Sequence, residues 1–407
     1  MQKIKQLFAY RPSKKATLYI IGGVLFVGVL LRLLVMLRGH NFDYQSYTIV
    51  GDIVLGGGNV YALTPRYNYG PAWFTILGAF RGIGQLFNNQ EVFRVLIVLL
   101  LTAVDVAIAF LLRRKFGLLA FALFFLNPVT IVITGYHNQF DSLAILVGLL
   151  GLMVLPPDTT KKLEKRHVYS ALLIGLSLVI KHIFFILPVW LFIRGATLKI
   201  KLFMLFVPVA IFLFSFLPFW AGGEYGIMQN VFLYKSFPNA PLINMLFSVD
   251  IVKLINPTFL LVGALVVTGF LTRKLPRFEA ALWYLVVLVA FSPAIANQYL
   301  AIAMPAAAAF GMIFFVPYII FASLLLFITS ENGLHINRFL DNIPPDLLRW
   351  LIPTAKSGPL GQYRLIIFSL FVALVVAAIY RYRRQWLVRP ARAVKKAIVE
   401  QYHGLRR

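Results

Sequence analysis

One carboxylate, Asp43, stands among hydroxyl and amide side chains directly after the first long apolar run of the chain. A carboxylate at the mouth of such a run is partly desolvated, which raises its pKa and suits it to take a proton from an alcohol. We therefore predict that Asp43 is a general base, with Asp52 as the second candidate. The alternative is an aspartate that is solvated in a loop or paired with Arg38 or Arg32.

A second polar group lies in the turn from Gly135 to Ser142, between two apolar segments. A connecting turn needs only one or two polar residues, so the excess here indicates a ligand-binding role for His137, Asn138 and Asp141. The alternative is a hydrated turn in which Asp141 or Ser142 caps the following helix. Because one His and one Asp do not make a coordination set, we predict neither a metal nor a cofactor.

A third group, Lys181 and His182, interrupts an apolar run. Ionisable residues at such places are costly and are functional candidates by default. Their expected partner is an anion. The alternative is a lysine that extends its ammonium group from a helix end towards water.

Three further residues, Lys235, Gln298 and Tyr299, offer hydrogen-bond donors to a phosphate or a sugar. Each can equally belong to an interfacial aromatic belt with a basic anchor. Asp105 lies inside another apolar run, and we interpret it as the structural partner of a buried arginine or polar group.

The composition defines the class of protein that must position these residues. The chain has 407 residues, of which 60% are hydrophobic and 13% are charged, and it contains no cysteine. So little polar surface could not cover the apolar core of a water-soluble protein of this composition. The formal net charge is +25, but the basic residues punctuate apolar runs and form no single patch, which argues against nucleic-acid binding. The missing cysteines exclude disulfides and thiolate metal sites.

The apolar runs predict an all-α, polytopic membrane protein with about 12 transmembrane helices and amphipathic helices in its first outer loop. We treat residues 1–407 as a single transmembrane domain. Short segments with a proline, such as those around Pro188 and Pro305, indicate helices that stop at a cavity. The predicted segments are 16–37, 91–112, 117–134, 141–155, 168–181, 183–193, 202–220, 258–272, 279–295, 299–310, 311–329 and 361–380.

Charge sets the predicted orientation in a cell membrane. With the N-terminus inside, most of the 39 Lys and Arg residues fall on cytoplasmic segments, including the basic tail 381–407. The C-terminus is then also cytoplasmic. The long polar loops, including the first outer loop 38–90, lie on the extracytoplasmic face together with Asp43.

Taken together, these stretches resemble the GT-C glycosyltransferases, which use polyprenyl-phosphate sugars. Asp43-Tyr44 followed by Tyr47 is similar to the family's base and its tyrosine-rich segment, and the stretch from Tyr67 to Pro71 is similar to its Tyr-x-Tyr-x-Pro element. Further similarities occur in the family's order as far as about residue 310. They comprise Asn127-Pro128 with Gly135–Asp141, Lys181-His182 with Pro188, and Gln298-Tyr299 with Pro305.

The resemblance implies a GT-C-like module over residues 1–310, extra helices and an outer loop over 311–380, and an enzyme of the mannosyltransferase type. Its donor would be a polyprenyl-phosphate-linked sugar held in membrane lipid, and its acceptor a glycan or glycolipid hydroxyl. No Asp-x-Asp pair surrounds Asp43, so the implied reaction is metal-independent, with inversion. The implied substrate-binding residues are Tyr44, Tyr69, His137, Asn138, Asp141, Lys181, His182, Lys235, Gln298 and Tyr299. The alternatives from other classes are a transporter or flippase of a lipid-linked saccharide and a membrane scaffold without activity.

Overall fold

The structure is a computed structural model, and it describes residues 13–234, 239–247, 256–328, 334 and 363–383. Within these residues the chain is helical, and no β-strand occurs. The predicted all-α class is therefore confirmed. The helices are α1 Lys14–Met36, α2 Phe42–Leu55, α3 Val60–Leu63, α4 Pro71–Leu86, α5 Gln90–Phe116, α6 Leu118–Phe125, α7 Pro128–Gly135, α8 Asp141–Val154, α9 Lys165–Ile180, α10 Leu187–Arg194, α11 Leu198–Phe214, α12 Glu224–Gly226, α13 Pro241–Leu246, α14 Pro257–Leu271, α15 Arg277–Ala290, α16 Tyr299–Ile302, α17 Met304–Phe310, α18 Val316–Ile328 and α19 Arg364–Arg383.

Each of the twelve predicted segments overlaps a helix, but few of these helices are long enough to cross a bilayer. Among the described residues, four helical stretches have the length and apolar character of a span: Lys14–Met36, Glu91–Phe116, Leu198–Phe219 and Arg364–Arg381. The bent pair α6 and α7 raises the count to five if it forms one span. The structure thus supports a helical membrane protein with four or five candidate spans, and the predicted twelve-span GT-C-like fold is not confirmed.

Several prolines of the predicted segments lie at the start of a helix. Segment 117–134 was expected to be one helix, but it bends by 49° between α6 and α7. Leu126 is the C-cap of the first part, Asn127 caps the second part by accepting from the Val129 N–H, and Pro128 starts the new helix. Pro188 and Pro305 likewise lie in the first turns of α10 and α17, where a missing N–H costs nothing.

The segment 38–90, predicted to be the first outer loop, contains three helices, α2, α3 and α4, joined by short turns. The turn after α2 includes Gly57 with φ of +74°, a conformation that glycine adopts without strain. Helix α4 buries Trp73, Phe74 and Leu77 along one face and exposes other residues. Helix α4 therefore packs on the rest of the molecule through one face, and the amphipathic character expected of this loop stays a prediction.

The centre of the molecule is apolar and closely packed. Helix α15 is buried on all sides from Ala280 to Val287, as expected for a helix that is hydrophobic around its whole circumference. Helices α8 and α9 approach closely because Gly151 faces Ile174 and Ser177 Oγ donates to the Ala144 carbonyl at 2.7 Å.

A buried ion pair joins α1, α5 and the α6–α7 bend. Arg32 is fully buried, and its Nε and Nη2 donate to Asp105 Oδ2 at 3.2 and 2.9 Å. Its Nη1 donates to the Phe125 carbonyl at 2.9 Å, and Thr134 Oγ1 donates to the same Asp105 oxygen at 2.7 Å. Asp105 is therefore the partner of a buried arginine, as the sequence indicated. Because Arg32 is paired with Asp105, the alternative in which Arg32 is the partner of Asp43 is excluded.

Candidate functional site

The candidate site begins at the first turn of α2. Asn41 is the N-cap, and its Oδ1 accepts from the Asp43 N–H at 3.2 Å. This bond orients the amide, so Asn41 Nδ2 donates to Asp43 Oδ2 at 2.8 Å and to His137 Nδ1 at 3.0 Å. Because His137 Nδ1 accepts, the imidazole of His137 carries its proton on Nε2 in the neutral state.

The polar turn after α7 supplies the second donor to the same carboxylate. Asn138 has φ of +56° and donates through Nδ2 to the carbonyls of Thr134 and Gly135, which ends the helix. This sharp turn places Gln139, whose Nε2 donates to Asp43 Oδ2 at 2.6 Å. Two amide groups from distant parts of the chain therefore hold the Asp43 carboxylate in one orientation.

Burial and charge act on Asp43 in opposite directions. Partial burial raises the pKa of the Asp43 carboxyl, and this is the largest effect. The Asn41 hydrogen bond and the positive charges of Lys181 and Arg66 oppose that rise, whereas the negative charge of Asp141 adds to it. The net result is a carboxyl pKa above its ordinary value, which is the property expected of a general base.

The charges of a buried ion pair, Lys181 and Asp141, act on the Asp43 carboxylate. Lys181 leaves the end of α9 in an extended conformation, and its Nζ donates to Asp141 Oδ2 at 2.7 Å. The side chains of Lys181 and Asp141 are only 6% and 3% exposed. The ammonium nitrogen also lies 4.8 Å from the ring centroid of Tyr69 and 4.9 Å from that of Phe140, an arrangement that favours a cation.

The loop that carries Tyr69 is held against Lys181 by a very close backbone approach. A Cβ atom on Gly70 would lie 2.0 Å from the Val179 carbonyl oxygen, so only glycine fits this contact. Tyr67 Oη donates to the Gly70 carbonyl at 2.6 Å, and Tyr61 Oη donates to the Tyr69 carbonyl at 2.8 Å. The loop therefore brings Tyr69 to the ion pair in a fixed position.

A small cavity lies beside the site. Its lining includes Gln139, Asp141 and Thr134, and its volume is about 20 Å³. That is room for a single water molecule and not for a sugar.

The predicted site residues separate into groups. Asp43, Tyr69, His137, Asp141 and Lys181 are brought together as described above. Tyr299 is near them, since the charge of Asp141 acts on its hydroxyl.

Asn138 ends a helix through its side-chain amide, and Asp141 occupies the first turn of α8 without acting as its N-cap, because Phe140 has that position. The alternative interpretation, in which Asp141 or Ser142 caps the helix, is therefore excluded. Asp141 instead serves as the counter-ion of Lys181.

The other predicted residues that the structure describes make no hydrogen bond to the Asp43 carboxylate, which accepts from Asn41 and Gln139. Tyr44 packs on His40 with ring centroids 4.5 Å apart and lies near Arg94. His182 contacts Phe212, with ring centroids 6.3 Å apart, and the charge of Lys181 acts on its imidazole. Gln298 directly precedes α16 and makes no hydrogen bond to Asp43 among the described residues. Lys235 lies outside the described residues.

The second candidate base differs from Asp43 in its surroundings. Asp52 forms a surface ion pair with Arg81, at 2.6 Å between Oδ1 and Nε, and its side chain is 48% exposed. An exposed, paired carboxylate of this kind lacks the desolvation that acts on Asp43. The structure therefore favours Asp43 over Asp52.

Three contributors to the site were not singled out from the sequence: Asn41, Gln139 and Arg66. Gln139 was visible as part of the excess of polar residues in its turn. Asn41 had only the local signature of an N-cap directly before an acidic first turn. In the described part of the chain, no three His, Asp or Glu side chains converge, so it offers no donor set for a metal ion.

No protein-family model matches the chain, and no curated protein and no solved structure matches it either.

Proposed function

We propose that this protein is a membrane glycosyltransferase that transfers a sugar from a polyprenyl-phosphate sugar to an acceptor hydroxyl, with Asp43 as the general base. The observation that carries the proposal is the Asp43 carboxylate itself. It is partly desolvated, it is held by the amides of Asn41 and Gln139, and it lies in electrostatic reach of the buried Lys181–Asp141 pair. Such a carboxylate has both the fixed orientation and the raised pKa that proton abstraction requires.

The proposed step is a direct displacement with inversion. The acceptor hydroxyl gives its proton to Asp43 while its oxygen bonds to the anomeric carbon of the donor sugar. The bond from that carbon to the phosphate oxygen breaks, and the prenyl phosphate leaves with the electron pair. Negative charge grows on the phosphate during this step, so cationic groups nearby stabilise the transition state.

The orientation in the membrane belongs to the same proposal. The basic segments, including the tail 381–407, face the cytoplasm because positive charge is retained on that side. The first outer loop and Asp43 then face the extracytoplasmic side of the cell membrane. The similarity of the ordered motifs to GT-C enzymes supports a mannosyltransferase-like reaction, and a glycan or glycolipid is the proposed acceptor.

The test is sugar transfer by the purified full-length protein in detergent, with a polyprenyl-phosphate sugar and an acceptor glycan. Asp43→Asn should reduce turnover by about 10²–10⁴-fold while leaving the thermal unfolding midpoint unchanged. Asp52→Asn is the matched control, since it removes a carboxylate of the same loop from an exposed ion pair.

Each alternative class predicts a different result. A transporter or flippase would use the same cations without needing a base, and it would form no product in detergent, where no two compartments exist. A scaffold without activity would form no product either. Asp43→Asn and His182→Ala would have no effect on it, and Lys181→Ala would lower only its stability, because it leaves buried Asp141 without its partner. Product formation that Asp43→Asn abolishes is therefore incompatible with both alternatives.

A further inference from the structure

Arg66 is a cation of the site, and its hydrogen-bonding edge has no partner among the residues that the structure describes. Its Nε and Nη2 atoms are buried and make no hydrogen bond. The guanidinium lies over the ring of Phe42, with Cζ 3.9 Å from the ring centroid, and the Arg66 backbone N–H donates to Thr64 Oγ1 at 3.2 Å. Buried donors without a partner are costly, so a folded protein rarely keeps them without a reason.

Other arginines of this protein show what that edge binds. The Nε and Nη2 atoms of Arg32 both donate to Asp105, at 3.2 and 2.9 Å. The same two atoms of Arg81 donate to the two oxygens of Asp52, at 2.6 and 3.2 Å. The edge formed by Nε and Nη2 matches the spacing of the oxygens of a carboxylate or phosphate. The corresponding edge of Arg66 is buried, and no carboxylate of the described residues accepts from it.

Arg66 also lies where an oxyanion of the substrate is needed. It stacks on the residue that directly precedes Asp43, and its charge acts on the Asp43 carboxylate. Lys181, the other cation that acts on Asp43, is already neutralised by Asp141 at 2.7 Å. A substrate anion beside Asp43 would therefore find its available positive charge on Arg66 and not on Lys181.

We infer that Arg66 binds a phosphate ester of the substrate through its Nε and Nη2 atoms, in a two-point contact next to Asp43. The identity of the phosphate carrier, a polyprenyl lipid, rests on the proposed function. The contact itself rests on the geometry of Arg66. A bound phosphate would also offset the positive charge that faces Asp43 and so make that carboxylate a stronger base.

The experiment measures binding without turnover, on the full-length protein in detergent. The probes are a polyprenyl monophosphate, the corresponding polyprenol without phosphate, and inorganic phosphate as a competitor. Arg66→Gln should weaken binding of the polyprenyl monophosphate by about tenfold to a hundredfold and leave polyprenol binding unchanged. Arg81→Gln is the matched control, because Arg81 lies in the same outer loop with its edge already filled by Asp52.

Arg66→Lys keeps the charge but removes the two-point contact, so it should lose part of the preference for the phosphate lipid over the polyprenol. If Arg66→Gln does not fold, the Arg66→Lys variant tests the phosphate contact in its place. Inorganic phosphate that competes in the wild type indicates that free phosphate enters the site, whereas failure to compete identifies the lipid-linked phosphate as the ligand. Folded Arg66 variants that keep the wild-type preference would overturn the inference.

The two proposals fail separately. Binding of the polyprenyl monophosphate that depends on Arg66, without any sugar transfer, would contradict the proposed glycosyltransferase activity and support the phosphate site. Sugar transfer that is unchanged in Arg66→Gln and Arg66→Lys would contradict the phosphate site and support the proposed glycosyltransferase activity.

Discussion

Gln139 Nε2 donates to Asp43 Oδ2 at 2.6 Å, although the two residues are 96 positions apart in the chain. The bond joins the first turn of α2 to the polar turn after α7. Both turns also meet through Asn41, whose amide donates to Asp43 and to His137. The carboxylate is therefore oriented by contacts that only the folded chain can make.

The pH dependence of activity should report the Asp43 carboxyl. Burial raises the pKa of Asp43, so kcat/KM should rise with pH through a value above the ordinary aspartate pKa of about 3.9, because only the ionised form accepts a proton. The Asn41 hydrogen bond lowers this pKa. Asn41→Ser keeps an N-cap oxygen but removes the amide donor, so the acid limb of the profile should move to higher pH. An acid limb that moves equally in Asp52→Asn would contradict the assignment.

The Lys181–Asp141 pair should be costly to break from one side. Lys181→Met or Asp141→Leu alone leaves a buried charge without its partner, and each should lower the free energy of unfolding by about 3–5 kcal/mol. The double variant removes both charges and should recover most of that loss. Thermal unfolding in detergent measures all three. Arg81→Gln, from an exposed pair, should cost less than about 1 kcal/mol, and a double variant no better than the singles would refute the argument.

Gly70→Ala should displace the loop that carries Tyr69. The new methyl group would lie 2.0 Å from the Val179 carbonyl oxygen, so the backbone must shift. We expect a loss of about 1–3 kcal/mol in stability and a loss of sugar transfer. Gly263→Ala in α14 is the control, since nothing lies within 4 Å of that position and alanine favours the helix. Equal behaviour of the two variants would show that the close approach is unimportant.

The buried Arg32–Asp105 pair should stabilise the bend between α6 and α7. Asp105→Asn leaves the fully buried Arg32 without a counter-ion and should cost about 3–5 kcal/mol. Thr134→Val removes only one hydrogen bond to Asp105, and its cost should be about 1 kcal/mol. Thermal midpoints of the two variants test this order, and a larger effect of Thr134→Val would contradict it.

The sequence by itself determined the helical class and drew attention to most of the polar residues that matter. Long apolar runs must form helices, because a backbone in lipid has to satisfy its own hydrogen bonds. Asp43, Asp141 and Lys181 were visible because ionisable groups at the ends of such runs are costly, and Asp105 was assigned a buried partner for the same reason. These inferences depend on local composition alone.

Only the tertiary structure decided which residue pairs with which. Asp141 could equally have capped its own helix, and it became the counter-ion of Lys181 because α8 and α9 pack closely. Likewise, the unfilled edge of Arg66 stands out only once the partners of Arg32 and Arg81 are known. Pairing depends on the distance between elements that are far apart in the chain, and the residue types along one segment carry no record of that distance.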